Sequence, residues 1–309
     1  MQKIVVAVGG NALGNSPQEQ KEIVKLTAKN IVNMYEKGNK IVIVHGNGPQ
    51  VGMINLAFDS AHKVLDSSPM VDFPECGSMS QGYIGYHLQN AIVNELKIRK
   101  LKGKVATIIT QTVVDKKDVA FDYPSKPIGN FYSESEAAHL QVENKWTMKE
   151  DAGRGWRRVV PSPKPIDILE KTCITNFLDN NIITIAAGGG GIPVIEQDDR
   201  YLGIPAVIDK DFAAAKIAEI IDADKLIILT AVDNVMINFG KKDQEVLFKT
   251  PLAIAKDLVE QKHFAAGSML PKVEAALSFV ERTKKDAIIG SLENADQVIE
   301  GTSGTTFTI

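Results

Sequence analysis

Cysteine is scarce in this sequence: Cys76 and Cys173 stand far apart and form no C-x-x-C pair. Two such singletons argue against a disulfide framework or a thiolate zinc site, and both are expected to be buried as small hydrophobes. Long apolar runs are missing too. No stretch reaches the roughly 18 residues that a membrane span requires, so no membrane partner is expected. The first apolar segment follows directly on Met1-Gln2-Lys3, so no signal peptide is expected, and no Asn-x-Ser/Thr sequon occurs. A cytoplasmic protein is expected. Neither sign of charge dominates: 35 basic residues are dispersed among 38 acidic ones, for a net charge of -3, and nothing invites nucleic acid. Low-complexity tracts and repeats of solenoid length are absent. So is GxxxxGK[ST], which removes the P-loop enzymes by motif.

What is present is an ordinary globular composition, 44% apolar and 24% charged over 309 residues, enough for one large α/β domain or two small ones. Apolar runs of strand length occur at 4–8, 41–44, 105–110, 182–186, 226–229 and 287–289. They are continuous rather than alternating, as in strands covered on both faces. Helical patterns fall between them, at 19–35, 79–100, 166–178, 212–221, 251–260 and 272–283. This rhythm predicts an α/β fold with a mostly parallel sheet and helices on both sides.

The stretch 115–165 breaks the rhythm. It holds Pro124, Pro127, Pro161, Pro163 and Pro165, both tryptophans (Trp146 and Trp156) and a dense mix of charges. Its one short helical candidate, 133–143, opens on Ser133 with Glu136 three residues on, a capping-box pattern. Fifty residues would make a very long loop, so an inserted subdomain on the ligand side is expected, one able to act as a lid.

Three strands run straight into glycines: Val8-Gly9-Gly10-Asn11, His45-Gly46-Asn47-Gly48 and Ala187-Gly188-Gly189-Gly190-Gly191. Glycine lets a backbone approach a ligand closely, and exposed N–H groups at a helix start favour an anion. Ligands of parallel sheets bind beyond the carboxyl ends of the strands, where all three clusters fall. Phosphate held by backbone is the reading, with Gly9, Gly10, Asn11, Gly46, Asn47, Gly48, Gly188, Gly189 and Gly190 as candidates. The second cluster is one residue too long for GxGxxG and lacks the acidic residue at the next strand's end, so a dinucleotide fold is the weaker reading.

Two lysines stand at helix starts, where a cation meets the positive end of the dipole. Lys210 lies in Asp209-Lys210-Asp211, and Lys272 follows Gly267-Ser268-Met269-Leu270-Pro271. Asp209 and Asp211 alone are ordinary caps. The lysines are best explained by a shared anion, with an aspartate holding them apart. His45 directly precedes a glycine loop, and the other four histidines have no partners at catalytic spacing.

Taken with Met79-Ser80-Gln81-Gly82-Tyr83, Pro124-Ser125-Lys126-Pro127, Asp151-Ala152-Gly153-Arg154-Gly155-Trp156-Arg157 and Phe264-Ala265-Ala266-Gly267-Ser268-Met269, these motifs resemble carbamate kinase from end to end. The motifs around Lys126 and Trp156 separate carbamate kinases from other enzymes of the amino acid kinase fold. The resemblance implies a three-layer αβα sandwich over 1–309, with 115–165 as an inserted lid, and a homodimer. It implies that ADP and carbamoyl phosphate give ATP and carbamate, in catabolic ATP production, with magnesium on the nucleotide. Gly9, Gly10, Asn11 and Gly48 would cradle the phosphoryl group. Lys210 and Lys272 would neutralise it, Asp211 would organise both, and Lys126 would reach in from the lid. Thr230, Val232, Val235, Met236, Ala266, Gly267 and Met269 would bind nucleotide. Asn234 and Met236 stand where the family often carries aromatic residues, and methionine is soft enough to pack on a base.

Two alternatives stay open. An acetylglutamate kinase would carry a lysine just before the first glycine pair, where this chain has Val6-Ala7-Val8; Lys3 is six strand residues away, roughly 20 Å. A non-catalytic sensor would be expected to have lost Lys126, Lys210, Asp211 or Lys272, and all four are present.

Overall fold

Every residue from Ile4 to Val8 is buried, and alternate side chains enter different cores. Val5 and Ala7 face one core, and Ile4, Val6 and Val8 the other. That is why the strands read as continuous apolar runs: with helices on both faces there is no solvent side to carry polar residues. The computed structural model describes residues 1–9, 16–65, 67–151 and 153–309. The candidates Gly10 and Asn11 lie outside the described residues.

The chain begins with β1 (Lys3–Val8), α1 (Pro17–Glu36), β2 (Lys40–His45), α2 (Gly48–Val64), α3 (Phe73–Ile98), β3 (Lys104–Thr107) and β4 (Gln111–Val114). It continues through β5 (Lys126–Tyr132), α4 (Glu134–Glu143), β6 (Met148–Glu150), β7 (Trp156–Val160), β8 (Pro165–Ile168), α5 (Lys171–Asp179) and β9 (Ile182–Ile185). Next come β10 (Ile192–Gln197), β11 (Arg200–Gly203), α6 (Lys210–Ile220), β12 (Lys225–Thr230), β13 (Met236–Ile237) and β14 (Glu245–Val246). The last elements are β15 (Lys249–Pro251), α7 (Leu252–Glu260), α8 (Met269–Thr283), β16 (Ala287–Ser291), α9 (Ala295–Glu300) and β17 (Thr305–Thr308).

Eight strands form the central sheet in the order β15-β17-β16-β12-β1-β2-β9-β3. All pairs are parallel except β16 with β17. Helices α5 to α8 close one face, and α1, α3 and α9 the other. The expected three-layer αβα sandwich is the observed fold. Among the described residues no helix is long and apolar enough to cross a membrane.

Residues between β4 and β8 leave and return on an antiparallel pair of strands. They carry the three-stranded sheet β5-β7-β6 and α4. Helix α4 starts where the sequence indicates, with both halves of the Ser133–Glu136 capping box formed. A small core of Val51, Phe73, Ile128, Val160 and Val207 joins these strands to the rest of the chain.

Three local expectations need correction. The helix at 166–178 begins only at Lys171, because Pro165–Ile168 is a strand held by β4. The strand at 105–110 ends at Thr107. Beyond it Thr110 is captured by Gln81, whose side chain takes its N–H at 2.9 Å and donates to its carbonyl at 3.1 Å. Cys173 is exposed, since α5 turns Ile174 and Leu178, four residues apart, to the core.

Candidate active site

Strands β1, β2, β9 and β12 end along one edge of the sheet, and the segments that follow β2 and β9 meet there with the start of α6. A cavity of about 200 Å³ opens at this edge, lined by Gly46, Asn47, Gly48, Lys126, Gly189, Asp209, Lys210, Asp211 and Lys272 among others. The four charged residues predicted from sequence thus converge on one space from three distant segments. Three ammonium groups against two carboxylates leave it one positive charge in excess, the polarity a phosphoryl group needs.

Asp211 is the centre of the arrangement. Its Oδ1 accepts from Lys210 Nζ at 2.5 Å and its Oδ2 from Lys272 Nζ at 3.0 Å. Burial works against its ionisation, but the two ammonium groups prevail and hold its pKa down at about 2. Burial pushes the Lys210 ammonium below its usual value, against the pull of Asp211. Asp209 caps α6: its Oδ1 accepts the Asp211 N–H at 2.9 Å, and its Oδ2 accepts from Lys126 Nζ at 2.5 Å.

The glycines play unequal parts. Gly46 donates its N–H to the Val8 carbonyl at 3.1 Å, so that amide extends the sheet. Helix α2 begins at Gly48 with no side-chain cap, because Asn47 turns its amide to Ser80 Oγ at 2.8 Å. That leaves an open helix start facing the cavity. Gly189 has φ of +65°, and a Cβ there would lie 2.0 Å from Asn47 Nδ2, so only glycine fits. Gly188 packs against His45 and Gly190 against Ile208, beneath the cavity wall. Gly9 follows β1, and a Cβ there would lie 3.4 Å from the Leu229 carbonyl oxygen.

A second cavity of about 200 Å³ adjoins the first and shares Lys272. Its lining is more apolar and includes Thr230, Val232, Asn234, Met236, Phe239, His263, Phe264, Ala265, Ser268 and Met269. Of the nucleotide candidates, Thr230, Val232, Met236 and Met269 are brought together here. Val235 is not: it is fully buried and donates its N–H to Thr305 Oγ1 at 2.9 Å. Ala266 and Gly267 are exposed outside the lining. Phe239, His263 and Phe264 were missed. His263 and Phe264 stand just before Gly267 and the start of α8, which was the available signal; Phe239 lies in the turn between β13 and β14, away from any helix start.

Lys3 lies at the far end of β1, donating to the Ile221 carbonyl at 3.0 Å. No group of three or more His, Cys, Asp or Glu side chains gathers among the described residues. Both oxygens of Asp209 and both of Asp211 are already engaged. These residues do not fit a protein-held metal cage.

Comparison with known proteins gives the family. The amino acid kinase family model matches residues 2–291. A carbamate kinase of Clostridium perfringens is 53% identical over 309 residues, 98% of either chain. The chain belongs to the carbamate kinases of the amino acid kinase family. It is thus a kinase, a phosphotransferase, and the family expected from the motifs is borne out. A carbamate kinase-like protein of Escherichia coli is 52% identical over 304 residues, again 98% of either chain. The solved carbamate kinase from Giardia lamblia bound to AMP-PNP is 41% identical, with a TM-score of 0.91 over 99% of this chain and 98% of that one.

Proposed function

We propose that this enzyme makes ATP from ADP and carbamoyl phosphate, releasing carbamate, with the phosphoryl group moving between the two adjoining cavities. The observation that carries the reading is the Lys210–Asp211–Lys272 triad at the boundary of a cationic cavity and an apolar one. Carbamoyl phosphate would sit against Gly48, Gly189, Lys126 and Lys210, and the base of ADP against Met236 and Met269. Lys272, which lines both cavities, would meet the transferring group.

This chemistry asks little of acid or base. The nucleophile is an anionic phosphate oxygen and the leaving carbamate is a stable anion, so positioning and charge neutralisation suffice. Magnesium would arrive on the nucleotide's phosphates, as it commonly does. A catabolic direction, a homodimeric assembly and a cytoplasmic setting belong to the same proposal.

The test is ATP formation from ADP, carbamoyl phosphate and magnesium, run beside Lys126→Ala. Activity in the wild type with a crippled variant supports both substrate and lid lysine. Activity in both keeps the substrate and removes the lysine. An inactive wild type that still binds ADP rejects carbamoyl phosphate as the donor.

A further inference from the structure

The geometry points to Asp209 as a positioning residue for the lid lysine: its carboxylate holds the Lys126 ammonium over the phosphoryl cavity before any substrate arrives. This deepens the kinase reading and rests on it for the identity of what enters the cavity.

Asp209 and Lys126 lie 83 positions apart, and the hydrogen bond between them, 2.5 Å long, spans from the body to the lid subdomain. Asp209 is bound at both ends of its carboxylate. Its Oδ1 is fixed by the α6 backbone at Asp211 and its Oδ2 faces the lid. The carboxylate therefore cannot turn away without losing the cap. Its side chain is 12% exposed and that of Lys126 36%, so the acid is seated in the wall and the cation stands toward the opening. Among the described residues Lys126 Nζ has no other hydrogen-bond partner.

A free lysine stem samples many rotamers, and fixing it costs conformational entropy. Here the carboxylate fixes it in advance. An ammonium has three N–H donors, so Asp209 engages one and leaves two for phosphoryl oxygens. The same contact ties the lid strand β5 to α6, the helix whose first residue is Lys210. Lid position and the cationic centre are thereby linked through one side chain.

The test is a double-mutant cycle of Asp209→Asn, Lys126→Ala and both together. Asparagine is as good an N-cap as aspartate, so the substitution removes the charge and spares α6. Two readouts are taken: kcat/KM for carbamoyl phosphate, and acrylamide quenching of Trp146 and Trp156. These are the only two tryptophans of the chain, and both lie between β5 and the end of β7. Asp209→Asn is expected to lower kcat/KM about ten- to hundredfold, the loss typical of a charge-assisted hydrogen bond. In the Lys126→Ala background it should cost nothing further. Quenching of the unliganded protein should rise equally in both single variants and no more in the double. An Asp209→Asn loss that persists without Lys126, or quenching that adds, would show that Asp209 acts through its cap or on a metal, and would overturn the proposal. Should the wild type make no ATP, the kinase reading falls while the quenching cycle still decides the positioning role. Should Asp209→Asn lose melting temperature, Asp209→Ser, another good cap, repeats the cycle.

Discussion

Lys272 Nζ lies 3.0 Å from Asp211 Oδ2, and the same lysine lines both the cationic and the apolar cavity. Lys210, on the other oxygen of Asp211, lines only the first. The two lysines should therefore fail differently. Either alanine variant is expected to lower turnover by roughly 10²-fold or more, as loss of an electrostatic stabiliser does. Lys272→Ala should also raise the KM for ADP, and Lys210→Ala should leave it near wild type. Steady-state kinetics with each substrate varied separates them, and equal ADP effects would contradict the assignment of the cavities.

Asp211 makes an acid-stability prediction. Its pKa is held at about 2 against an ordinary 3.8. A carboxyl depressed in the folded state contributes stability that is complete above its unfolded value and is lost as pH falls through its folded one. That component should disappear between about pH 4 and pH 2. Asp211→Asn should lack it, and at neutral pH should be less stable by about 3–5 kcal/mol, because two ammonium groups lose their shared partner. Urea unfolding of both proteins across that window measures the difference.

His45 titrates on the same principle with a different cause. Its ring is wholly buried, Nδ1 donates to the Gly46 carbonyl at 2.8 Å, and among the described residues Nε2 has no partner. Burial pushes its pKa down to about 4 from 6.5. The imidazole is neutral at working pH, and the kinetic pH profile should show no inflection from it between pH 6 and 8. Below pH 6.5 the unfolded chain takes up the proton first, so folding stability should fall toward pH 4 and then level off. The loss is on the order of 3 kcal/mol. His45→Asn should be missing that slope, and an unchanged slope would place the titration elsewhere.

Much of this was legible in the chain because the physical cause was local. Continuous apolar runs marked β1, β2 and β12, whose alternate residues feed two cores. Lys210 and Lys272 stood out because a cation at a helix start needs a reason. What escaped depended on tertiary pairing. The Lys126–Asp209 contact spans 83 positions, and nothing near either residue announces it. The first turns of α3, from Phe73, were hidden by Pro74 and Gly77, the two poorest helix formers. In that same helix Gly85 admits Thr107, whose Cγ2 would lie 2.3 Å from an added Cβ. Residues 166–168 read as helix because the four residues of β8 cannot establish a period, and their strand exists only through β4.

Gly52 gives the sharpest probe of the proposed lid. It lies within α2, and a Cβ there would stand 2.4 Å from the Cα and 2.5 Å from the backbone nitrogen of Gly129 on β5. Backbone cannot fold aside as a flexible side chain can, so alanine must push the lid strand outward. Yet alanine suits a helix interior better than glycine by up to about 1 kcal/mol, so α2 itself should not weaken. Gly52→Ala therefore separates lid docking from the integrity of the body. It is expected to lower kcat/KM for carbamoyl phosphate by about 10²-fold, the scale of a catalytic group misplaced by an ångström, because Lys126 moves with β5. The melting temperature should stay within a few degrees of wild type. Full activity in a folded Gly52→Ala protein would mean that the position of β5 against α2 does not matter to the chemistry, and Lys126 would lose its place in the site.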